Sequence, residues 1–238
     1  MTRYYIYLLV ACWLTTATYS QQSSPAVAPL TLRFILQDPT QAPADLYLKD
    51  VNGKVVKLNL ACGEIGTPQQ TIPEAGSLVL FNTAAPESKS PQASIAAWVA
   101  VPKPMKRAVA IVVRAPADLT PAYRIVLIDD SLEAFPRGES RIVPLMALET
   151  SVAVGEHKIA CKPGAITRMP AVTQLDPYNM AQTDFYYKKA GSWIVFSECR
   201  NKYLDVFRQI FIVYIRAGGS TPELTTFIDQ VPRPVAEK

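Results

Sequence analysis

The sequence predicts an all-β protein of two immunoglobulin-like antiparallel β-sandwich lobes joined near residues 129–138, and three observations carry that prediction. Twenty prolines against ten glycines disfavour long helices, because an interior proline removes a hydrogen bond and clashes with the preceding turn. Short β-branched runs recur throughout, separated by Pro, Gly, Asn and Asp. Between the runs Tyr123–Ile128 and Glu139–Leu145 lie Asp129, Asp130, Pro136 and Gly138, residues that end strands by turning or fixing the backbone. With 49% hydrophobic and 18% charged residues, the chain has the apolar material for a core and too little charge for disorder.

At the N-terminus, Arg3 precedes the apolar run Tyr4–Leu14 and the small polar stretch Thr15–Ser20. One charge, a short greasy segment and a small-residue cut after Ser20 predict a secretory signal over residues 1–20. The run is shorter than the roughly 20 residues that span a bilayer. Leu9-Val10-Ala11-Cys12 resembles the lipobox of bacterial lipoproteins, so membrane attachment is expected only if Cys12 is acylated.

A leader over 21–29 gives way to the alternating strand Leu30–Leu36. Asp45–Lys49 and Lys54–Leu58 flank Asn52-Gly53, which predicts a two-residue type I′ hairpin. Strands follow at Ser77–Asn82, Ala97–Val101, Ala108–Arg114 and Tyr123–Ile128, with one helical turn possible inside Gln92–Trp98. Ala108–Val113 is apolar at every position, which predicts a central strand covered on both sides.

The second lobe, 131–219, opens with Glu139–Leu145 and continues through Ser151–Val154 and His157–Cys161 around a turn at Gly155-Glu156. Asp176-Pro177 suggests a capped short helix to Gln182, and Asp184–Lys188 with Trp193–Ser197 a hairpin. Arg208–Arg216 has apolar side chains on both faces and should be central. Residues 220–238, with Pro222, Pro232 and Pro234, read as an extended tail. No internal repeat aligns.

The segment Leu30–Phe81, with its hairpin and Ala75–Phe81 element, and Ile128-Asp129-Asp130 leading into Phe135-Pro136-Arg137-Gly138, diffusely resembles exported bacterial two-lobed β-sandwich proteins of uncharacterised function. That resemblance implies an envelope-associated protein and carries no catalytic residue.

Chemistry is sparsely signalled. The formal net charge of +4, falling by one if Arg3 is removed, and scattered basic residues argue against nucleic acid. His157 is the only histidine, there is no GxSxG elbow, no Gly-rich phosphate loop and no CxxC, so no cofactor and no metal is expected. Of the cysteines beyond a signal, Cys161 and Cys199 are the candidate disulfide, with Cys62 left over, although three buried free thiols are an alternative. Asp129, Asp130, Glu133 and Glu139 gather at the joint and would serve a carboxylate-based hydrolase if two converged about 5–10 Å apart. The same cluster offers oxygen ligands for Ca²⁺ without a specific calcium-loop spacing.

Tyr178, Tyr186, Tyr187, Trp193 and Tyr203 form the candidate binding surface, since aromatic platforms stack on sugars or anchor protein partners, with core packing along alternating strands as the competing reading. The joint itself is assigned to Asp129, Asp130, Phe135, Pro136 and Gly138, with Leu132 and Phe135 tucked between the lobes. The functional expectation is a non-catalytic periplasmic, cell-envelope or extracellular protein binding a protein or glycan partner. A carboxylate hydrolase is the first alternative. The second is a periplasmic assembly chaperone, which would need an open edge strand beside an interdomain cleft and a basic anchor such as Arg124, Arg137 or Arg141.

Overall fold

The computed structural model describes residues 28–37, 45–60, 63–86, 91–116 and 118–232. The expected signal and leader through residue 27, Cys12, Cys62 and the last six residues lie outside them. The fold is all-β, with four sheets of four strands. The first half contains β1 (Leu30–Leu36), β2 (Tyr47–Lys49), β3 (Val55–Lys57), β4 (Gln69–Thr71), β5 (Ser77–Phe81), β6 (Ile95–Ala100), β7 (Arg107–Arg114) and β8 (Tyr123–Asp129). The second contains β9 (Ser140–Pro144), β10 (Thr150–Val154), β11 (His157–Cys161), β12 (Thr167–Met169), β13 (Met180–Lys189), β14 (Ser192–Lys202), β15 (Phe207–Tyr214) and β16 (Glu223–Gln230).

An outer sheet β3-β2-β5-β6 packs on an inner sheet β4-β1-β7-β8, and an outer sheet β11-β10-β13-β14 packs on an inner sheet β12-β9-β15-β16. Adding eight to each strand number converts the first pair of sheets into the second, so the chain is a tandem duplication in topology. The pairing is not purely antiparallel as expected, because β1 runs parallel to β7 and β9 parallel to β15. A parallel pair needs a long crossover, and the strands of each outer sheet supply it.

The two inner sheets face each other across a third apolar layer. From β7 it takes Val109, Ile111 and Val113, and from the register-equivalent places on β15 it takes Ile210, Ile212 and Tyr214. Ile128 of β8 and Phe227 of β16 are a further matched pair. The alternate side chains, Ala108, Ala110 and Val112 or Phe211 and Val213, fill the two sandwich cores. Both central strands are therefore buried on both faces, as their unbroken apolar runs predict.

Three expectations fail for identifiable reasons, and two strands were not expected. The β2–β3 turn is longer than a type I′ turn. The Asp50 carboxylate accepts the Asn52 and Lys54 N–H groups at 2.8 and 2.9 Å, and of the turn residues only Gly53 takes a positive φ (78°). No helix follows Asp176, because its carboxylate binds the Tyr178 and Met180 N–H groups at 2.8 and 2.9 Å and Asn179 turns the chain with φ 59°. The tail after residue 219 is not an arm. It forms β16, pairs with β15 over its whole length and buries Phe227. The short strands β4 and β12 lack an alternating pattern long enough to announce them.

The segment joining the halves is fixed in place. Ser131 N–H donates to the Asp129 carboxylate at 2.9 Å, Phe135 N–H to the Ser131 carbonyl at 2.8 Å, and Gly138 N–H, at φ 76°, to the Phe207 carbonyl at 2.8 Å. Phe135 is fully buried with the Arg141 and Arg208 guanidiniums 4.4 and 4.6 Å from its ring centroid, whereas Leu132 stays exposed. Pro136 is half-buried beside it.

One end of the layer is closed by charge. Arg33 of β1 makes paired hydrogen bonds to Asp130 (2.7 and 3.0 Å) and to Asp229 (2.7 and 2.8 Å). Arg208 of β15 binds the same two carboxylates, with 2.6 Å to Asp130 and 2.9 Å from its Nε to Asp229, and also the Phe135 carbonyl at 3.0 Å. Asp130 and Asp229 are register-equivalent, facing Arg107 and Arg208 near the start of the two central strands. Arg208, Asp130 and Asp229 are all buried.

Removing one member of such a set leaves an uncompensated buried charge. Arg208→Leu is expected to cost about 3–5 kcal/mol of stability. Arg107→Gln, at an exposed arginine 3.8 Å from Asp130, should cost no more than about 1 kcal/mol. Urea denaturation of both variants checks this, and equal losses would show that the buried cluster is not what holds the halves together.

Candidate functional site

The joint acids do not converge on open space. Asp130 is enclosed by Arg33 and Arg208, Asp129 closes a turn, and Glu139 is buried between Arg141 (3.2 Å) and Arg168 (2.8 Å from its Nε). Glu133 is exposed on the connecting turn. Burial pushes the Glu139 carboxyl up, but hydrogen bonds from Arg168 and Arg141 outweigh it and hold the group below the usual carboxylate range. Asp229 behaves alike, with burial overcome by Arg33 and Arg208. Carboxylates held ionised in this way are poor general acids at neutral pH.

Two more acids, Asp176 and Asp184, line a shallow depression of about 540 Å³ on the outer sheet of the second half. Asp176 is bound by backbone N–H groups of Met180 and Tyr178 and by Arg200, which lower its pKa, and Asp184 accepts from Gln182 at 2.7 Å. Among the described residues no three His, Cys, Asp or Glu side chains are grouped to hold a metal ion. His157 sits at the start of β11, with Nε2 3.0 Å from the Ala171 carbonyl and 3.3 Å from Glu156.

The five candidate aromatics separate into three places. Tyr187 and Tyr203 are corrected to the core: alternation along β13 turns Tyr187 inward, and Tyr203 shares a 2.8 Å hydrogen bond with the buried Thr183 hydroxyl. Tyr178, 74% exposed, lies beside the start of β13, at the opposite end of the sheet from Trp193. Tyr186 and Trp193 remain together, since Tyr186 faces Val195 and Lys188 faces Trp193 across the β13–β14 pair. The Lys188 ammonium lies 5.8 Å from the Trp193 ring centroid.

β14 is the outermost strand of its sheet, and Trp193, Ile194 and Val195 are exposed by 47%, 39% and 42%. Three consecutive exposed side chains must lie on both faces of a strand, so neither face of this end of β14 is covered. The consecutive apolar run was visible in the sequence, but its position at a sheet edge depends on strand order, which alternation does not encode.

The inner layer opens at the end opposite the ionic cluster. Two adjoining depressions of about 550 and 540 Å³ there share Val113, Arg124 and Leu145. Arg124, on the outermost strand β8, is one of the three basic residues named for a cleft, and it does line this one. Arg137 instead donates to the Val231 and Pro232 carbonyls at 3.2 and 2.7 Å, and Arg141 is buried against Phe135. β6 lies along the flank of β8, which narrows access to that strand's free edge.

Cys161 and Cys199 are both free. They sit on β11 and β14, the two opposite edges of a four-stranded sheet, and register sets Cys161 level with Ile194, so three strand spacings of roughly 4.8 Å already hold them more than about 14 Å apart. A disulfide requires Cα atoms within about 7 Å. Burial raises both thiol pKa values.

Non-reducing peptide mapping of protein exposed to oxidant is expected to show no peptide joining Cys161 to Cys199. A second outcome concerns Tyr203, whose hydroxyl burial pushes up to about 12 against the opposing hydrogen bonds to Thr183 and Asn201. The folded state holds this proton more tightly than the unfolded state, where tyrosine titrates near about pH 10. Its contribution is therefore complete below about pH 10 and lost as pH rises toward about 12. Tyr203→Phe should make the fall in urea stability across that window shallower, and an unchanged slope would contradict the assignment.

Comparison with models of known protein families and with curated proteins gave no match.

Proposed function

We propose that the chain is an exported, non-catalytic component of the cell envelope or extracellular space, built as two immunoglobulin-like sandwiches, and that it binds a protein partner through the outer sheet containing β14. The carrying observation is the uncovered end of β14, where Trp193-Ile194-Val195 is exposed on both faces. An unpaired strand edge is a template for another chain, because its N–H and C=O groups seek partners and its side chains gain burial when a strand is added. Tyr186 and Lys188 beside Trp193 supply the aromatic and cationic contacts that anchor such interfaces. A sugar would stack on one face alone and leave Ile194, which points to the other side, exposed.

Export is supported by Arg3, the apolar run Tyr4–Leu14 and the small residues before Gln21. The non-catalytic reading is supported by the acids of the joint, which are either committed to guanidinium groups or local turns or solvent-exposed.

The test places a photo-crosslinking residue at Trp193 and, as control, at Lys158 on the opposite edge strand β11, in cells making the full chain. A discrete protein adduct is expected from position 193 alone, and Ile194→Lys, which puts a charge on the edge, should abolish it. Equal labelling at 158, or an adduct indifferent to Ile194→Lys, overturns the reading. Absence of any protein adduct together with carbohydrate binding lost in Trp193→Ala would replace the protein partner with a glycan.

A further inference from the structure

The two ends of the layer between the inner sheets are chemically opposite. At one end Arg33, Asp130, Arg208 and Asp229 neutralise one another. At the other, β7 and β15 finish side by side and the layer opens into a groove contributed by both halves. Its floor is apolar, made by Val113, Val126, Val143, Leu145, Met146 and Tyr214, and it continues directly from the buried layer. Among the described residues the charged side chains lining the two depressions are Arg114, Arg124 and Arg216. Among the described residues no carboxylate lines it.

Arg216 is paired with Glu223 at 2.8 Å. Arg124 lies on the face of β8 that carries Val126 and Ile128, at the point both depressions share, and its side chain forms no hydrogen bond or ion pair among the described residues. The duplication sharpens this contrast. Register places Arg124 opposite Val113 and Glu223 opposite Tyr214, so the place held by Glu223 in the second half is held by an arginine in the first. Where the second half has a carboxylate, the first has a cation at the mouth of an apolar slot.

We propose that this groove binds a single-chain amphiphile with a carboxylate head, its hydrocarbon lying along Leu145, Met146 and Val143 and its head bonded to Arg124. Charge complementarity selects an anion, since a guanidinium presents a planar pair of donors to a carboxylate. The apolarity of the floor selects a chain over a small ion, because each methylene removed from water contributes about 0.8 kcal/mol. The crowding of β8 by β6 disfavours an extended polypeptide, which would need the strand edge itself.

The experiment titrates intact protein by calorimetry with dodecanoate, dodecan-1-ol and acetate below any micelle concentration, and follows the Met146 methyl by NMR. Saturable one-site binding of dodecanoate that shifts Met146 is expected, with dodecan-1-ol at least about tenfold weaker and acetate silent. Arg124→Gln should weaken dodecanoate about tenfold and leave dodecan-1-ol unchanged. Arg124→Lys, which keeps the charge, should fall between, and it substitutes as the readout if the glutamine variant does not fold. Non-saturable binding, equal affinity for acid and alcohol, an unmoved Met146 methyl or indifference to both substitutions overturns the proposal. So does a hydrophobic pentapeptide with a free C-terminal carboxylate that outcompetes dodecanoate, which would identify a polypeptide end as the occupant.

Discussion

The rest of the structure depends on the apolar layer between the two inner sheets. A sheet in an ordinary sandwich hides one face and wets the other, which produces alternation along its strands. Here each inner sheet is covered twice, and β7 and β15 must supply apolar side chains at successive positions. Each large side chain added to that layer contributes roughly 1.5–3 kcal/mol. The halves are therefore fused through a core comparable to their own, and the segment 131–138 follows that interface instead of acting as a hinge. Its buried Phe135 is one more side chain of the layer.

The ionic cluster is the counterpart of that layer and obeys a different economy. Two carboxylates and two guanidiniums brought out of water lose hydration, and their mutual attraction roughly restores it only when geometry is good. The paired bonds from Arg33 to both aspartates meet that condition. Such a set adds little net stability over apolar packing, but it tolerates few alternative registers, because sliding one inner sheet over the other would strand a buried charge. Burial opposes the Arg33 charge and the two aspartates more than restore it, raising its pKa. The apolar layer thus supplies attraction without direction, and the charges supply the direction.

Much of this was legible in the sequence wherever one strand determines its own environment. Ala108–Val113 and Ile210–Ile215 announced double burial, because no alternation survives when both faces are covered. The strand content followed from proline spacing and β-branched runs. What depended on distant partners was hidden. Asp130 looked like a strand-ending turn residue, and only the meeting of β1, β8, β15 and β16 shows that it neutralises two arginines. Tyr187 and Tyr203 resembled surface aromatics because their neighbours Tyr186, Lys188 and Lys202 are polar, and the side-chain period decides which member faces inward. The duplication was invisible for a related reason. Equivalent positions keep their place in the sheets while identities drift, as with Val109 and Ile210 or Ile128 and Phe227, so topology retains a symmetry that alignment loses.

That drift is also where specific chemistry arises. Equivalent positions that still serve the shared layer have stayed interchangeable in kind: apolar for apolar, and Asp130 for Asp229. The pairs that differ in charge or in partner lie at the periphery of the layer. Arg141, the register mate of Arg33, has turned away from the central carboxylates to Glu139 and Phe135, and Arg124 stands where its mate is Glu223. The outer sheets have diverged further, with β14 longer than β6 and less closely flanked by its neighbouring inner strand, which frees Trp193, Ile194 and Val195. A duplicated fold held by one interface can alter everything except that interface. The surfaces worth testing are those where the second copy departs from the first without any packing reason to do so.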